Sequence, residues 1–393
     1  VTKTGAAPQA AATEQTKDAG RTMQTLLDGI SARLIETPRL SVNILERTGD
    51  SPDTPADRTI VFVHGNVASS LFWQEIMQDL PRELRPIAVD LRGFGGTDHA
   101  PVDATRGVRD FSDDLHATLE ALGLGPTHLV GWSLGAGVVM QYALDHRALS
   151  LTLEAPISPY GFGGTRRDGS RLTDDDAGCG AGAANPDFVQ RLNDRDSSDE
   201  ASTSPRSVFR ASYVAPGYRT THEDLWVESM LTTSTASGNY PGDSAHSDNW
   251  PGFAPGTTGV LNALAPRYFD VSGIVRLDRK PPILWVHGTA DAIVSDASFA
   301  DYNNLGQLGI VPGWPGADVA PPQEMVTQTR DVLGAYADAG GDVVEVALEG
   351  VGHSPHLERP AEFRQALLAA IGYIGRRADP APPTEAIVIA SSD

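Results

Sequence analysis

The stretch THLVGWSLGAGVVMQ, residues 127–141, places Ser133 in Gly131-Trp132-Ser133-Leu134-Gly135, between a short apolar run and an Ala/Gly/Val/Met-rich helical pattern. In a strand, sharp turn and helix of this kind, side chains two residues either side of the serine would collide with neighbouring backbone, and glycine removes them. The turn lifts the hydroxyl clear of the sheet. The helix N-terminus then presents unpaired N–H groups that stabilise negative charge developing beside it. With 40 glycines in the chain the bare spacing is weak evidence, but its place between strand and helix makes Ser133 a candidate nucleophile.

A serine hydroxyl needs a positioned base to take its proton. Of 10 histidines, His353 is the best placed: Val343 to Leu348 reads as a strand, and EGVGH, residues 349–353, carries the imidazole onto the loop beyond its carboxyl end. That is the rim on which Ser133 lies. His356 reads as a residue that supports the site from behind or lines its pocket, and His64 and His287, which follow or end strands, as hydrogen-bonded structural residues. A carboxylate must hold the imidazole in one tautomer. Asp291, in HGTADAIV after the strand 282–286, and Glu154, ending the strand after the elbow helix, both give the order serine, acid, histidine. Motif context favours Asp291, with Glu154 as the alternative acid or else a loop or cap hydrogen-bond partner. The backbone N–H of Leu134, with that of Asn66 or Val67 where the strand TIVFV runs into His64-Gly65, is suited to an oxyanion. Trp132, His356, Trp250 and Phe253 are the candidate substrate-binding side chains.

These residues require alternating strands and helices that deliver strand ends to one rim. Residues 1–20 read as a disordered tail, and Met23, Leu26, Leu27, Ile30 and Leu34 recur at helical spacing, predicting an amphipathic helix over 21–34. Strands are expected at 38–48, 59–64 and 86–89, helices at 71–80 and 107–122, and a further buried strand at 150–153. DLRGFGGTD, residues 90–98, is a tight loop with no G-x-G-x-x-G opening a helix, so a phosphate role is not expected; Asp90 and Arg92 read as an ion pair or loop hydrogen bonds. The alternation stops at 156 and resumes near 281, so residues 156–280 read as a cap inserted between the core segments 21–155 and 281–377, followed by a flexible tail at 378–393. Within the cap, 165–207 reads as loop-like and partly mobile, with Asp174, Asp175 and Asp176 a solvated charge run rather than a calcium site. Helical spacing returns from Val208 to Met230, and aromatic residues between 240 and 269 supply potential pocket surface. A long Gly/Pro-rich excursion, residues 295–323, reads as part of the pocket wall.

Composition sets outer bounds. The 393 residues carry 30 Lys+Arg against 51 Asp+Glu, a net charge of −21 that argues against nucleic acid or an anionic membrane as partner. A single cysteine, Cys179, forms no internal disulfide. No apolar run reaches the roughly 18 residues of a membrane span, and the first twenty residues contain no apolar signal core, so a cytoplasmic location is expected.

Five segments together resemble the α/β-hydrolase superfamily, in particular its capped esterase, lactonase and cofactor-free haloperoxidase-like members: VFVHGN at 61–66, DLRGFGGTD at 90–98, GWSLG at 131–135, HGTADAIV at 287–294 and GHSPHLERP at 352–360. They occur in the family's order and span residues 37–377 apart from the cap. The resemblance implies an α/β-hydrolase fold, with a mostly parallel central sheet, helices on both faces and an inserted cap. It also implies Ser133, Asp291 and His353 as nucleophile, acid and base, oxyanion donors at Asn66 or Val67 and Leu134, and no metal or organic cofactor. The long excursion after Asp291 departs from the family pattern, and serine at the elbow excludes the branches with an aspartate nucleophile. The expected activity is hydrolysis of a small, largely apolar ester or lactone. C–C bond hydrolysis or perhydrolysis on the same triad, and a non-catalytic ligand-binding role, stand as alternatives.

Overall fold

The computed structural model describes residues 25–373 and a short strand at 386–389. The apolar runs pair into one nine-stranded sheet. Its strands in chain order are β1 (Ile30–Glu36), β2 (Ser41–Arg47), β3 (Thr59–Val63), β4 (Arg85–Val89), β5 (His128–Trp132), β6 (Ser150–Glu154), β9 (Ile283–Gly288), β10 (Val343–Leu348) and β11 (Ala386–Ile389). β7 (Ser244–His246) and β8 (Phe253–Pro255) form a separate hairpin. The spatial order is β1-β2-β4-β3-β5-β6-β9-β10-β11. The pairs from β4 through β10 are parallel, whereas β1/β2, β2/β4 and β10/β11 are antiparallel. Every residue of β3, β4, β5 and β6 is buried, as a parallel sheet covered by helices on both faces requires.

The helices are α1 (Gln74–Asp79), α2 (Arg109–Ala121), α3 (Leu134–Asp145), α4 (Pro186–Asn193), α5 (Pro205–Val208), α6 (Glu223–Leu231), α7 (Tyr302–Gln307), α8 (Met325–Asp338), α9 (Pro355–Glu358) and α10 (Pro360–Ala370). The first ten residues of α3 are all buried, which explains its small-residue composition: it lies between the sheet and neighbouring elements with no solvent face to make polar. Among the described residues no helix is long and apolar enough to cross a membrane.

Several expectations change. Of the helix expected over 21–34, residues 30–34 instead lie in the strand β1, preceded by a turn at 28–29; residues 21–24 lie outside the described residues. Ile30 and Ile35 are buried while Leu34 is 56% exposed, and the backbone is paired along its whole length with β2. Pairing through the Thr37–Leu40 turn decided the conformation where apolar spacing fitted either period. The tail expected to be flexible contributes β11 at the sheet edge. Between β6 and β9 the inserted segment is more ordered than its composition suggests. Asn185 caps α4, with Pro186 at its first turn. Val208 to Met230 is two helical pieces, with Ala215-Pro216-Gly217 in the break.

The Asp174–Asp176 run is partly structural rather than wholly solvated. Asp175 accepts from Ser247 and Asn249, and buried Asp176 accepts from the Arg267 N–H and Arg171. Among the described residues no group of three or more His, Cys, Asp or Glu side chains is arranged to hold a metal. Asp90 and Arg92 do not pair with each other. Asp90 gathers the N–H groups of Ser70 and Gly96 and the Asn43 amide, while Arg92 forms a two-bond fork with Asp114. Cys179 is buried within the insertion, against Gly163 and Gly164.

Candidate active site

Ser133 stands between β5 and α3 at φ 56° and ψ −116°. A non-glycine residue there costs about 1–3 kcal/mol and persists only when its surroundings impose it. They do: the Ser133 N–H donates to the Glu154 carbonyl at 2.9 Å, and its own carbonyl accepts from Ala136 at 3.0 Å. A Cβ on Gly131 would lie 2.3 Å from the Gly135 carbonyl oxygen, and one on Gly135 would lie 2.3 Å from that of Val63. Glycine at both positions is therefore a packing requirement of the turn.

The loops after β9 and β10 meet beside it. The His353 Nδ1–H donates to Asp291 Oδ2 at 2.7 Å, and Asp291 Oδ1 accepts from the N–H groups of Ile293 and Val294 at 2.7 and 2.9 Å. With the proton on Nδ1, His353 Nε2 is left as an acceptor. The Trp132 indole N–H donates to the His353 carbonyl at 2.7 Å, so the residue before Ser133 fixes the backbone that carries the imidazole. Both members of the pair are buried, with Ser133 only 6% and His353 2% exposed. The Ser133 hydroxyl makes no hydrogen bond to a described residue, a common state of such groups before substrate arrives.

Glu154 is not the partner of His353. Its Oε1 accepts both the backbone N–H and the Nδ1–H of His356, at 2.7 and 2.8 Å. Glu154 Oε2 and His356 Nε2 are buried without a hydrogen-bond partner. Of the two readings of His356, the pocket one is not met: the ring is fully buried against Trp73, with centroids 4.4 Å apart, and holds its place through Glu154. Trp132, also expected to line a pocket, is a core residue whose polar atom is already used. Trp250 and Phe253 belong to a different neighbourhood, beside the 295–323 excursion. Trp250 donates to the Pro312 carbonyl at 2.9 Å, and Phe253 meets Tyr302 edge-on. His64 and His287 are hydrogen-bonded as expected: His64 Nε2 accepts from the Leu91 N–H, and His287 meets Glu345.

The loop after β3 is the third component. Because His64 Nε2 is an acceptor, its Nδ1–H donates to the Gly65 carbonyl at 2.7 Å. Val67 adopts φ 47°, an outlier for a β-branched residue. The N–H groups of Asn66, Val67 and Leu134 donate to no described residue. The carbonyls of Asn66 and Val67 are both held by the Tyr213 hydroxyl, from the inserted segment. Sequence reasoning missed Tyr213, together with Ser354 and Glu358, which tie the same segment to the His353 loop. No spacing links Tyr213 to residues some 146 positions away, and within GHSPHLERP nothing but proximity to His353 marks Ser354 and Glu358.

Two surface concavities of about 440 and 390 Å³ lie elsewhere. The first is lined by residues including Pro186, Val189 and Pro241, the second by Leu26, His222 and Leu225.

A family model described as alpha/beta hydrolase fold matches residues 58–322. Over 102 residues the chain is 32% identical to monoacylglycerol lipase abhd6-B of Xenopus laevis, covering 25% of this chain and 30% of that protein. Over 106 residues it is 35% identical to 2-hydroxy-6-oxo-2,4-heptadienoate hydrolase of Pseudomonas putida, covering 26% and 38%. The matched parts thus amount to well under half the length of these relatives. Among solved structures, an esterase from Exiguobacterium antarcticum aligns over 87% of this chain and 100% of its own, with a TM-score of 0.53 and 16% identity, a likeness of fold. The matched model spans most of the chain, including the strand ends that carry Ser133 and Asp291: the chain belongs to the α/β hydrolase fold family.

Proposed function

We propose that this protein is a serine hydrolase that cleaves a small, largely apolar carboxylic ester or lactone through an acyl-enzyme. The observation that carries the reading is a serine on a strained strand–helix turn, a carboxylate-held histidine whose own carbonyl is bonded to the residue before that serine, and N–H groups on the adjoining loop with no partner among the described residues. His353 Nε2 takes the Ser133 proton as Oγ attacks the carbonyl carbon. The oxyanion is received by the Leu134 N–H and that of Asn66 or Val67, each such donor being typically worth about 3 kcal/mol of barrier. His353 then returns the proton to the departing alkoxide. Water, deprotonated by the same imidazole, attacks the acyl carbon; the bond to Ser133 Oγ then breaks, His353 returns the proton to that oxygen, and the acid leaves. Asp291 holds the tautomer and stabilises the imidazolium. Phe72, Phe209 and Tyr213 form one buried aromatic cluster with Trp132 behind the elbow, apolar surroundings that support an apolar acyl group, and the insertion serves as the cap.

The likeness to the heptadienoate hydrolase favours C–C bond hydrolysis as a second reading on the same residues. Intact and peptide mass spectrometry after exposure to a fluorophosphonate tests what both share. A single adduct on Ser133, absent from Ser133→Ala, is expected. A folded protein that takes up neither this reagent nor a smaller sulfonyl fluoride overturns the proposal. Turnover of aryl esters and lactones against a vinylogous diketone then separates the two readings.

A further inference from the structure

We infer that Tyr213, carried by the insertion, is a positioning residue for the oxyanion site: its hydroxyl orients the peptide groups whose N–H groups receive the developing charge. The inference rests on the hydrolase reading above and adds what the insertion does in it.

The Tyr213 hydroxyl shares its one proton between the Asn66 carbonyl at 2.8 Å, the shorter contact, and the Val67 carbonyl at 3.2 Å. In a trans peptide the C=O and the following N–H point in opposite directions across a rigid plane. Fixing the Asn66 carbonyl therefore aims the Val67 N–H, and fixing the Val67 carbonyl aims that of Ala68. His64 does the same for the Asn66 N–H through the Gly65 carbonyl. Three successive carbonyls are thus held, one from the sheet and two from the insertion. The outside hold is needed because Val67 sits at φ 47°, where a β-branched side chain is strained and relaxes unless its neighbours prevent it.

Tyr213 is itself held. Its carbonyl accepts from the Ser354 hydroxyl at 2.7 Å, and its ring meets Trp132 and His353 edge-on with centroids 5.8 and 6.3 Å away. Two residues on, the Ala215 N–H donates to Glu358 Oε2 at 2.9 Å, while Glu358 Oε1 accepts from Gly352 at 2.8 Å, next to His353. The Tyr218 hydroxyl donates to the Leu357 carbonyl. One strap of the insertion, residues 213–218, is therefore bonded both to the oxyanion loop and to the loop that carries the base. Burial pushes the Tyr213 phenol upward, so it stays a donor throughout the working pH range. Seating of the strap and assembly of the oxyanion site are one event.

Tyr213→Phe keeps the ring and removes only the donor. On an ester that wild type hydrolyses, kcat is expected to fall about tenfold while KM stays within about threefold, since the lost orientation matters where charge develops. Affinity for a trifluoromethyl ketone, which presents an oxyanion in its bound form, is expected to fall in parallel with kcat. A purely structural hydroxyl would instead lower the thermal midpoint and leave kcat and the ketone affinity of the folded enzyme unchanged, and that result overturns the inference. If Tyr213→Phe does not fold, Ser354→Ala frees the Tyr213 carbonyl with the ring intact. An expected fall in kcat of about threefold supports the inference, and an unchanged kcat overturns it. Wild type that neither labels at Ser133 nor turns over an ester means that the hydrolase reading has failed and the inference with it. Labelled, active wild type beside an equally active Tyr213→Phe overturns the inference alone.

Discussion

Two buried carboxylate–imidazole pairs pack against the same indole, that of Trp132, and differ in how the carboxylate spends its oxygens. Asp291 gives one oxygen to the His353 ring and the other to two N–H groups of its own loop. Glu154 gives a single oxygen to both the ring and the backbone of His356 and leaves the other without a partner. The first arrangement fixes a ring whose far nitrogen is available beside the elbow. The second fixes a loop, with a ring closed in by Trp73 and Phe363. An acid at a strand end and a histidine downstream are common to both; loop geometry decides which pair leaves a ring nitrogen without a partner on the rim of the sheet, and so which one is proposed to supply the base, and which holds the loop.

The largest effect expected from breaking this comparison is that of Asp291→Asn. It keeps the shape and loses the tautomer, so kcat/KM on a responsive ester should fall about 10³–10⁴-fold with the urea midpoint little changed. Glu154→Ala should do the opposite. It strips His356 of its only acceptor inside the core and is expected to destabilise the fold by about 3–5 kcal/mol in urea titration, with kcat per folded molecule within about tenfold of wild type. Equal losses of activity in the two variants would show that the pairs work as one unit.

A third pair sharpens the contrast at smaller scale. Burial works against the Glu345 carboxylate, yet hydrogen bonds from His287 and Arg330 override it and hold the group down at about 2. A lowered folded value means stability that is fully present above the unfolded carboxylate range near pH 4.3 and is lost as pH falls towards 2. Arg330→Met should therefore reduce the difference in unfolding free energy between pH 5 and pH 3, read from urea titrations, by on the order of 1 kcal/mol. An unchanged difference would assign the acid limb to other carboxylates.

The succession of core strands along the chain and the placing of Ser133, Asp291 and His353 just beyond strand ends were legible in the sequence, because glycines that fit a sharp turn and apolar runs buried on both faces leave local signatures; the order of the strands in the sheet was not. β1 was not, since Ile30 and Leu34 suit a helical period as well as a strand, and pairing with β2 is a long-range fact. Glu154 and His356 had the right residue types at the right places; only the shared oxygen shows that they serve each other. Tyr213 lies in a stretch without periodicity, and its role depends on carbonyls that no side-chain pattern encodes.

Cys179 gives the inserted segment a built-in clock. It is the chain's only thiol, it is 2% exposed, and burial with the nearby Asp176 pushes it well above its ordinary range. The native thiol is thus shielded and protonated, and a disulfide reagent reaches it only when the surrounding segment comes apart. The rate of that reaction, followed at increasing urea, reads the opening frequency of this one part of the molecule without any introduced label.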